Sequence, residues 1–266
     1  MRNCWLDSMT VVVGPLFFSM LAFAQSGQQP ARGKAPAKAR PFDPHNLSGV
    51  WIGKSDGKSA VDTRLRPPMT PWAQARFDAA VPTLGPRDIP GKENDPILHC
   101  NPDGIPKLLG VPQPFEIIQI PGRMLMFFEH NRHWRTIWTD GRKLPEDPDP
   151  TWMGNSVGRW EGDTLVVESN GFNDIPWLDF YGDPHSDAMH LTERYRRVDR
   201  NTLEIAVTIN DPKAYTKVWV NPPKGYNLKS WEIGEHYCVI EEEAAYGNKI
   251  RLPAGGLPPN PNQTKQ

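Results

Sequence analysis

The sequence predicts a mainly β protein in which an antiparallel meander closes into a barrel or a strongly curved sheet. From Phe115 onward, short apolar segments recur at hairpin spacing with turn residues between them, and we count roughly ten strands. The segments do not alternate with helical patterns, which argues against a βαβ fold. A meander of this kind must bury its edge strands, and closure into a barrel achieves that. One short helix and one long Pro/Gly-rich loop complete the prediction.

The N-terminal residues predict export. An apolar run from Met9 to Ala24 follows Arg2 and ends in a small-x-small pattern, so we expect residues 1–24 to be a signal peptide cleaved after Ala24. The run is shorter than the roughly 20 residues of a membrane span, so we expect no stable membrane insertion after cleavage. An uncleaved anchor stays open as the alternative. The mature protein is then periplasmic or secreted.

A single domain is expected between a disordered linker at 25–44 and a disordered tail at 251–266. The linker is rich in Pro, Ala and Lys, and neither it nor the tail has an apolar period. The segment 45–250 is long enough for one well-buried core. The formal net charge of the whole chain is −1, which argues against a nucleic-acid partner because phosphate binding needs a clustered basic surface.

The first half of the predicted domain contains one strand, one helix and the long loop. The strand is Leu47–Ile52. The helix covers 71–80, because Thr70 is a suitable N-cap residue and Pro71 suits the first helical position. Residues 82–114 are rich in Pro and Gly and predict an irregular loop, which at that length is usually functional or packed as a lid.

The second half is predicted to be β structure to its end. The strand segments are PFEIIQI, RMLMFFEH, HWRTIWTDG, SVGRWEG, DTLVVES, HLTERYRRVD, NTLEIAVTIND, AYTKVWV, YNLKSWEI and EHYCVIEE. The period of two is clearest in TLEIAVTI, which predicts that Leu203, Ile205, Val207 and Ile209 face the core.

Two cysteines remain once the signal peptide has removed Cys4. Cys100 and Cys238 in an exported protein are expected to form a disulfide. The alternatives are two buried, unpaired thiols, or a two-cysteine metal site, for which neither residue has a second Cys at short spacing.

Three segments together resemble a large family of exported bacterial proteins, most of them uncharacterised. The segments are WTDGRKLPEDPDPTWMGNSVGRWEGDTLVVES, HSDAMHLTERYRR and NDPKAYTKVWV, and the resemblance covers about Pro68 to Glu241. The resemblance implies no settled activity. The Gly49-Val50-Trp51 opening is also similar to the first strand of lipocalin-like (calycin) barrels.

The first group of candidate catalytic residues surrounds the turn after RMLMFFEH. Glu129, His130 and His133 are titratable groups beside large apolar ones, and burial of a carboxylate raises its pKa toward the range of a general base. Arg135 on the next strand could instead hold Glu129 in a structural ion pair. Metal binding by histidines from several loops stays open, although we assign no metal site.

Glu193 is the strongest single candidate. Strand alternation places it on the same face as Met189, Leu191 and Tyr195, so the carboxylate is expected to point inward. Because an unpaired buried carboxylate is unfavourable by several kcal/mol, Glu193 should be neutral, paired with Arg135 or Arg159, or retained for its chemistry.

The sequence favours a barrel that binds a small, largely apolar or aromatic molecule in its interior. Aromatic and apolar strands with a few polar groups are typical of ligand pockets. The ligand-binding candidates are Phe127, Trp134, Arg135, Trp138 and Tyr195. The alternatives are a cofactor-independent acid–base enzyme (lyase, isomerase or hydrolase) that uses the same cavity, and a structural module of the cell envelope. No phosphate loop, dinucleotide fingerprint or serine-hydrolase elbow occurs, so no cofactor is expected.

Overall fold

The structure, a computed structural model, describes residues 42–259. The predicted signal peptide, its cleavage site and nearly all of the linker therefore lie outside the described residues. Ten strands form one sheet, and nine of them close into a barrel. The predicted fold class is confirmed.

The strands are β1 (Gly49–Gly53), β2 (Phe115–Ile120), β3 (Arg123–Phe128), β4 (Trp134–Trp138), β5 (Asn155–Glu161), β6 (Thr164–Asn170), β7 (His190–Asp199), β8 (Thr202–Asn210), β9 (Trp219–Val220) and β10 (Lys224–Lys229). The helices are α1 (Pro71–Ala79), α2 (Ile240–Tyr246) and α3 (Leu252–Ala254), and a π-helical stretch, Gly247–Arg251, joins α2 to α3. Short 3-10 turns cover Thr63–Leu65, Pro96–His99, Lys107–Gly110 and His130–Arg132.

The strands follow one another around the barrel from β1 to β8, and β10 closes the ring by pairing with both β1 and β8. Strand β9 lies outside the ring on β8. The expectation of an antiparallel meander needs one correction, because β4 and β5 are parallel. The chain crosses from one end of the barrel to the other through residues 139–154 between them, so the barrel is mixed.

Period-two alternation sets the core, as predicted. Leu203, Ile205, Val207 and Ile209 on β8 are all buried, with at most 1% of any of them exposed. Tyr195 on β7 is fully buried as well. The outward positions of these strands are partly or fully exposed.

The two ends of the barrel differ. At one end the strands are joined by tight turns at 121–122, 162–163 and 200–201, and Arg197 covers the end: its guanidinium lies 5.3 Å from the Trp51 ring and donates to the Asn46 carbonyl. The opposite end carries the long connections 54–114, 129–133, 171–189 and 211–223. We call this the loop end.

The predicted helix is confirmed as α1. The Thr70 hydroxyl accepts a hydrogen bond from the Ala73 amide at 3.3 Å, and Pro71 occupies the first turn, where its missing N–H leaves no helix bond unmade. Residues 82–114 are irregular apart from two 3-10 turns, also as predicted.

The C-terminal region differs from prediction. The segment EHYCVIEE was expected to be a strand, but residues 230–239 are irregular and α2 begins at Ile240. The three glutamates at 241–243 lie in the first turn of α2, where negative charge stabilises a helix. Helical structure continues to Ala254, beyond the expected domain end at 250. Within residues 42–259, no helix is long and apolar enough to cross a membrane.

The predicted disulfide between Cys100 and Cys238 is confirmed, with 5.4 Å between the two Cα atoms. The bond joins the end of the 3-10 turn Pro96–His99 to the irregular segment just before α2. It therefore fixes the C-terminal helical region against the long loop of residues 82–114.

Candidate functional site

The structure divides the predicted site residues among three places. Those in the barrel interior are Arg135, Glu193 and Tyr195. Those at the loop end are Glu129, His130 and His133. Those on the outer surface of β3 and β4 are Phe127, Trp134 and Trp138. The candidates predicted from the sequence therefore belong to three separate clusters, a separation that the sequence did not show.

The interior cluster is a buried ion pair. Arg135 on β4 donates to both carboxylate oxygens of Glu193 on β7, at 2.9 and 2.5 Å. The same guanidinium donates to the hydroxyls of Ser156 on β5 and Ser169 on β6, at 2.9 to 3.1 Å. Tyr195 donates its hydroxyl to Oε1 of Glu193 at 2.8 Å. One side chain from β4 thus bonds to the next three strands in the ring.

Arg135 and Tyr195 keep their protons in the interior network. Burial opposes ionisation of Arg135, but the Glu193 carboxylate beside it raises the pKa of the guanidinium above its ordinary value. Burial, and then the Glu193 charge, raise the pKa of the Tyr195 hydroxyl well above its ordinary value, so Tyr195 stays a donor. Of the two partners predicted for Glu193, the structure has Arg135. The Glu193 carboxylate accepts three hydrogen bonds, two from Arg135 and one from Tyr195, and so ties β4 to β7 in the core.

Large side chains surround this network inside the barrel. Trp51, Phe128 and Tyr226 are fully buried there, and the Tyr226 hydroxyl donates to the Leu109 carbonyl at 2.8 Å. Leu109 belongs to the loop 54–114, so this loop covers the loop end of the barrel. The interior as a ligand site stays a prediction.

The loop-end cluster brings two predicted histidines to a carboxylate that the sequence did not reveal. Nε2 of His130 lies 3.3 Å and Nε2 of His133 lies 3.5 Å from Oδ2 of Asp103, which is completely buried. Burial by itself would raise the pKa of Asp103, but the two imidazoles and the Lys107 charge hold it well below its ordinary value. The carboxylate is therefore ionised, and the side chains of both histidines are about one-sixth exposed, at 17% and 15%.

This cluster has polar atoms without partners. Within residues 42–259, eleven buried side-chain N or O atoms make no hydrogen bond, and five of them belong to the loop-end cluster: both Asp103 oxygens, Nδ1 of His130, Oδ1 of Asn131 and Nε2 of His133. The contacts of Asp103 with the two imidazoles lie at ion-pair distance but lack hydrogen-bond geometry. Asn131 and Arg132 also adopt positive φ angles of 54° and 53°. Unmet hydrogen bonds and strained backbone in one place are typical of functional sites.

The C-terminal segment completes the cluster. The Asn131 amide donates to Nδ1 of His236 at 3.2 Å, and the His236 ring stacks on His130 with 5.1 Å between centroids. Glu129 accepts a hydrogen bond from the Gly234 amide at 2.7 Å. The alternative ion pair between Glu129 and Arg135 does not form, because Arg135 is bonded to Glu193 instead.

The histidines do not form a recognisable metal site. Among residues 42–259, no group of three or more His, Cys, Asp or Glu side chains is arranged to hold a metal ion. His185 is buried with Nδ1 3.3 Å from the Ser186 carbonyl oxygen, and burial lowers its pKa. His190 is exposed at the start of β7. The loop-end cluster thus places two partly exposed imidazoles at ion-pair distance from a buried carboxylate.

A second buried group, a pair of aspartates, lies in the loop 171–189. Oδ1 of Asp183 contacts the Arg66 guanidinium at 2.6 Å, and Oδ1 of Asp179 accepts hydrogen bonds from the amides of Tyr181 and Asp183. Burial, and then the neighbouring Asp179 carboxylate, raise the pKa of Asp183 to about 8, against the opposing charge of Arg66. The raised pKa favours the protonated form of Asp183 at neutral pH.

A groove runs between the loop of residues 90–99 and the helical region 240–258. Its volume is about 730 Å³. The apolar side chains that line it are Leu98, Ile240, Ala244, Leu252 and Leu257. The Cys100–Cys238 disulfide lies beside the groove and fixes its two walls to each other.

Comparison with known proteins identifies no family. No protein-family model, curated protein or solved structure matches the chain. The resemblance to exported bacterial proteins stays a prediction.

Asp103, Asp179 and His236 gave no signal of their own in the sequence. Each lies in irregular chain, where no period fixes the direction of a side chain. Asp103 also precedes its partners, His130 and His133, by more than twenty positions, so only the folded chain brings the three side chains together. The buried polar atoms without partners distinguish the cluster, whereas no sequence motif marks it.

We predict that Glu193→Gln destabilises the barrel strongly. Loss of one member of a buried ion pair leaves the Arg135 charge uncompensated, so the free energy of unfolding should fall by about 3–5 kcal/mol. The matched control is Glu168→Gln, which breaks an exposed pair with Arg159 at 3.1 Å and should change the free energy by less than about 1 kcal/mol. Denaturant unfolding of the three proteins measures both. Equal stability of Glu193→Gln and the parent would show that the pair does not support the fold.

We predict that Asp183 makes stability depend on pH. The folded protein holds the Asp183 proton up to a pKa of about 8, whereas an unfolded aspartate loses it near pH 4. The stabilising effect of this raised pKa is complete below about pH 4 and is lost as the pH rises toward 8, at up to about 1.4 kcal/mol per pH unit. Asp183→Asn keeps an oxygen that can accept from Arg66 and supplies an N–H donor in place of the carboxyl O–H, but it does not titrate. Relative to this variant, the parent should lose stability between pH 5 and pH 8, and a constant difference would contradict the assignment.

Proposed function

We propose that this is an exported barrel protein that binds a small, largely apolar or aromatic molecule, and that the groove beside the disulfide is the binding site. The observation that carries the proposal is the groove volume of about 730 Å³. Pockets for small molecules usually measure about 300–1,000 Å³ and have mostly apolar walls. The apolar run before Ala24 and the disulfide, which forms in oxidising compartments, support export.

The residues of the groove suit such a ligand. Ile240 and Leu257 are 55% and 42% exposed, and so offer apolar surface that a bound molecule would bury. Charged side chains share the walls with the apolar ones, and the two acids at 93 and 243 balance the two bases at 92 and 251. His99 adds one group that can donate or accept a hydrogen bond. An uncharged ring system with one or two polar substituents therefore matches the walls better than an ion does.

The barrel interior offers less support for binding. The fully buried side chains described above occupy it, and its polar groups bond to one another. A ligand there would have to displace the bonds of Arg135 or Glu193. The groove needs no such rearrangement, so we assign the ligand to it.

We predict that the full-length protein, purified from its native envelope, carries the ligand. Native mass spectrometry should show a mass above that of the mature chain. The added mass should be lost when the disulfide is reduced and the walls of the groove separate. Ala244→Trp fills the groove and should abolish the added mass. Val220→Trp, which changes an exposed residue on β9 that does not line the groove, is the control and should retain it. Retention of the ligand by Ala244→Trp, or no added mass in the parent, would contradict the proposal.

The loop-end cluster favours a second candidate function, acid–base catalysis. The observation behind it is the ionised, completely buried Asp103 beside two partly exposed imidazoles. A carboxylate that orients an imidazole is the usual arrangement of a general base and its partner. The corresponding reaction would be that of a lyase, isomerase or hydrolase, with His133 or His130 as the group that transfers the proton.

We predict that the parent protein converts the compound released in the first experiment. The compound should be consumed by the parent and at least about 100-fold more slowly by Asp103→Asn or His133→Gln, as expected for loss of a general base. His190→Gln alters an exposed histidine outside the cluster and should retain the parent rate. Circular dichroism confirms that each variant is folded. No turnover by the parent would leave binding as the function.

A further inference from the structure

The outer face of β2, β3 and β4 is apolar, although it lies outside the barrel. Pairing of the three strands arranges nine outward residues in three rows across them. The row at the loop end is Glu116, Phe127 and Trp134. The middle row is Ile118, Leu125 and Thr136. The row at the opposite end is Ile120, Arg123 and Trp138. We call these nine residues the outer face.

Six of the nine side chains are large and apolar, and several are open to solvent. Ile118 and Ile120 are each 37% exposed and Trp134 is 61% exposed. By contrast, the outward residues of β7 include His190, Arg194 and Arg196, all exposed. Contiguous apolar surface with polar groups at its rim marks an interaction site.

We propose that the outer face binds a second copy of this chain as a two-fold symmetric dimer. The two-fold axis runs across the strands along the middle row, so Leu125 faces Leu125 of the second copy. This symmetry places the row at the loop end of one copy against the row at the opposite end of the other. A two-fold interface uses the same surface on both subunits, and such a surface must complement itself.

The charges of the outer face meet that requirement. Its one acid, Glu116, is in the row at the loop end, and its one base, Arg123, is in the row at the opposite end. Antiparallel docking therefore brings Arg123 beside Glu116 and over Phe127 of the second copy, which are favourable ion-pair and cation–π partners. A two-fold axis along the strands would instead place Arg123 against Arg123.

Neither charge has an ionic partner within one chain. Among residues 42–259, Glu116 and Arg123 form no ion pair, and the Arg123 guanidinium lies 5.6 Å from the Trp138 ring centroid. The Arg142 guanidinium also stacks on the Trp138 ring, 3.6 Å from its centroid, so in this arrangement Trp134 of the second copy meets both Trp138 and that guanidinium. The face thus offers a central apolar strip, aromatic pairs on one side and two unpaired charges in complementary positions.

The test is the oligomeric state of the mature chain by sedimentation velocity over a range of concentrations. The parent should be dimeric. Leu125→Lys places two like charges at the axis and should give monomers, whereas the control Val220→Lys, on the exposed strand β9, should stay dimeric. Circular dichroism and thermal melts verify that each variant is folded.

Charge reversal makes the test specific for the proposed arrangement. Glu116→Arg or Arg123→Glu alone should raise the dimer dissociation constant by at least about tenfold, because like charges then meet. The double variant exchanges the two charges and should restore dimerisation to within about threefold of the parent. At about 100 μM protein, any dimer with a dissociation constant below that concentration is detected. A parent that is monomeric at this concentration overturns the proposal. Dimers that Leu125→Lys or the single reversals leave unchanged show that a different surface is used.

Discussion

The buried Arg135–Glu193 pair compensates for the weakest join in the barrel. Strands β4 and β5 are parallel and pair only at Trp138 and Val157, so toward the loop end their backbones lack the ladder that connects every other neighbouring pair in the ring. Arg135 spans this gap with its side chain, which bonds to β5, β6 and β7 through two serine hydroxyls and a carboxylate. Buried ion pairs are a weak source of net stability, but here the guanidinium supplies bonds across a join where β4 and β5 pair at one position alone. The shape of the barrel near the candidate sites depends on that replacement.

The sequence predicted the fold because the decisive information was local. A period of two along TLEIAVTI, a Thr-Pro helix start and turn dipeptides between apolar segments each depend on a few neighbouring residues, and all are present in the structure. The disulfide was predictable because only two cysteines remained in the expected mature chain. EHYCVIEE was assigned wrongly because its aromatic and β-branched residues favour a strand, while the disulfide and the acidic first turn of α2 impose a different structure.

The candidate sites were only partly predictable. Trp134 and Arg135 were both expected to line the barrel interior, but as neighbours on one strand they lie on opposite faces. Large apolar residues occur on both faces of β3 and β4, so the pattern did not show which face was inside. The partner that gives His130 and His133 their chemistry, Asp103, comes from an irregular loop whose position depends on the closed barrel. The structure therefore separates residues that the sequence had suggested as one site. Arg135 and Glu193 form a hydrogen-bonded pair in the core, whereas Asp103, His130 and His133 form a cluster with unmet hydrogen bonds at the loop end.

The pairing of β1 with β10 also governs the order in which this chain can assemble. The first strand of the barrel has its final neighbour in Lys224–Lys229, so ring closure waits until nearly all of the described chain has emerged. Until then, the free edges of β1 and β8 present unpaired backbone groups that can join to another chain. Contacts so distant in sequence form slowly. The newly made protein therefore passes through an interval in which intermolecular strand pairing competes with closure, and the cell must keep these chains apart until the last strand arrives.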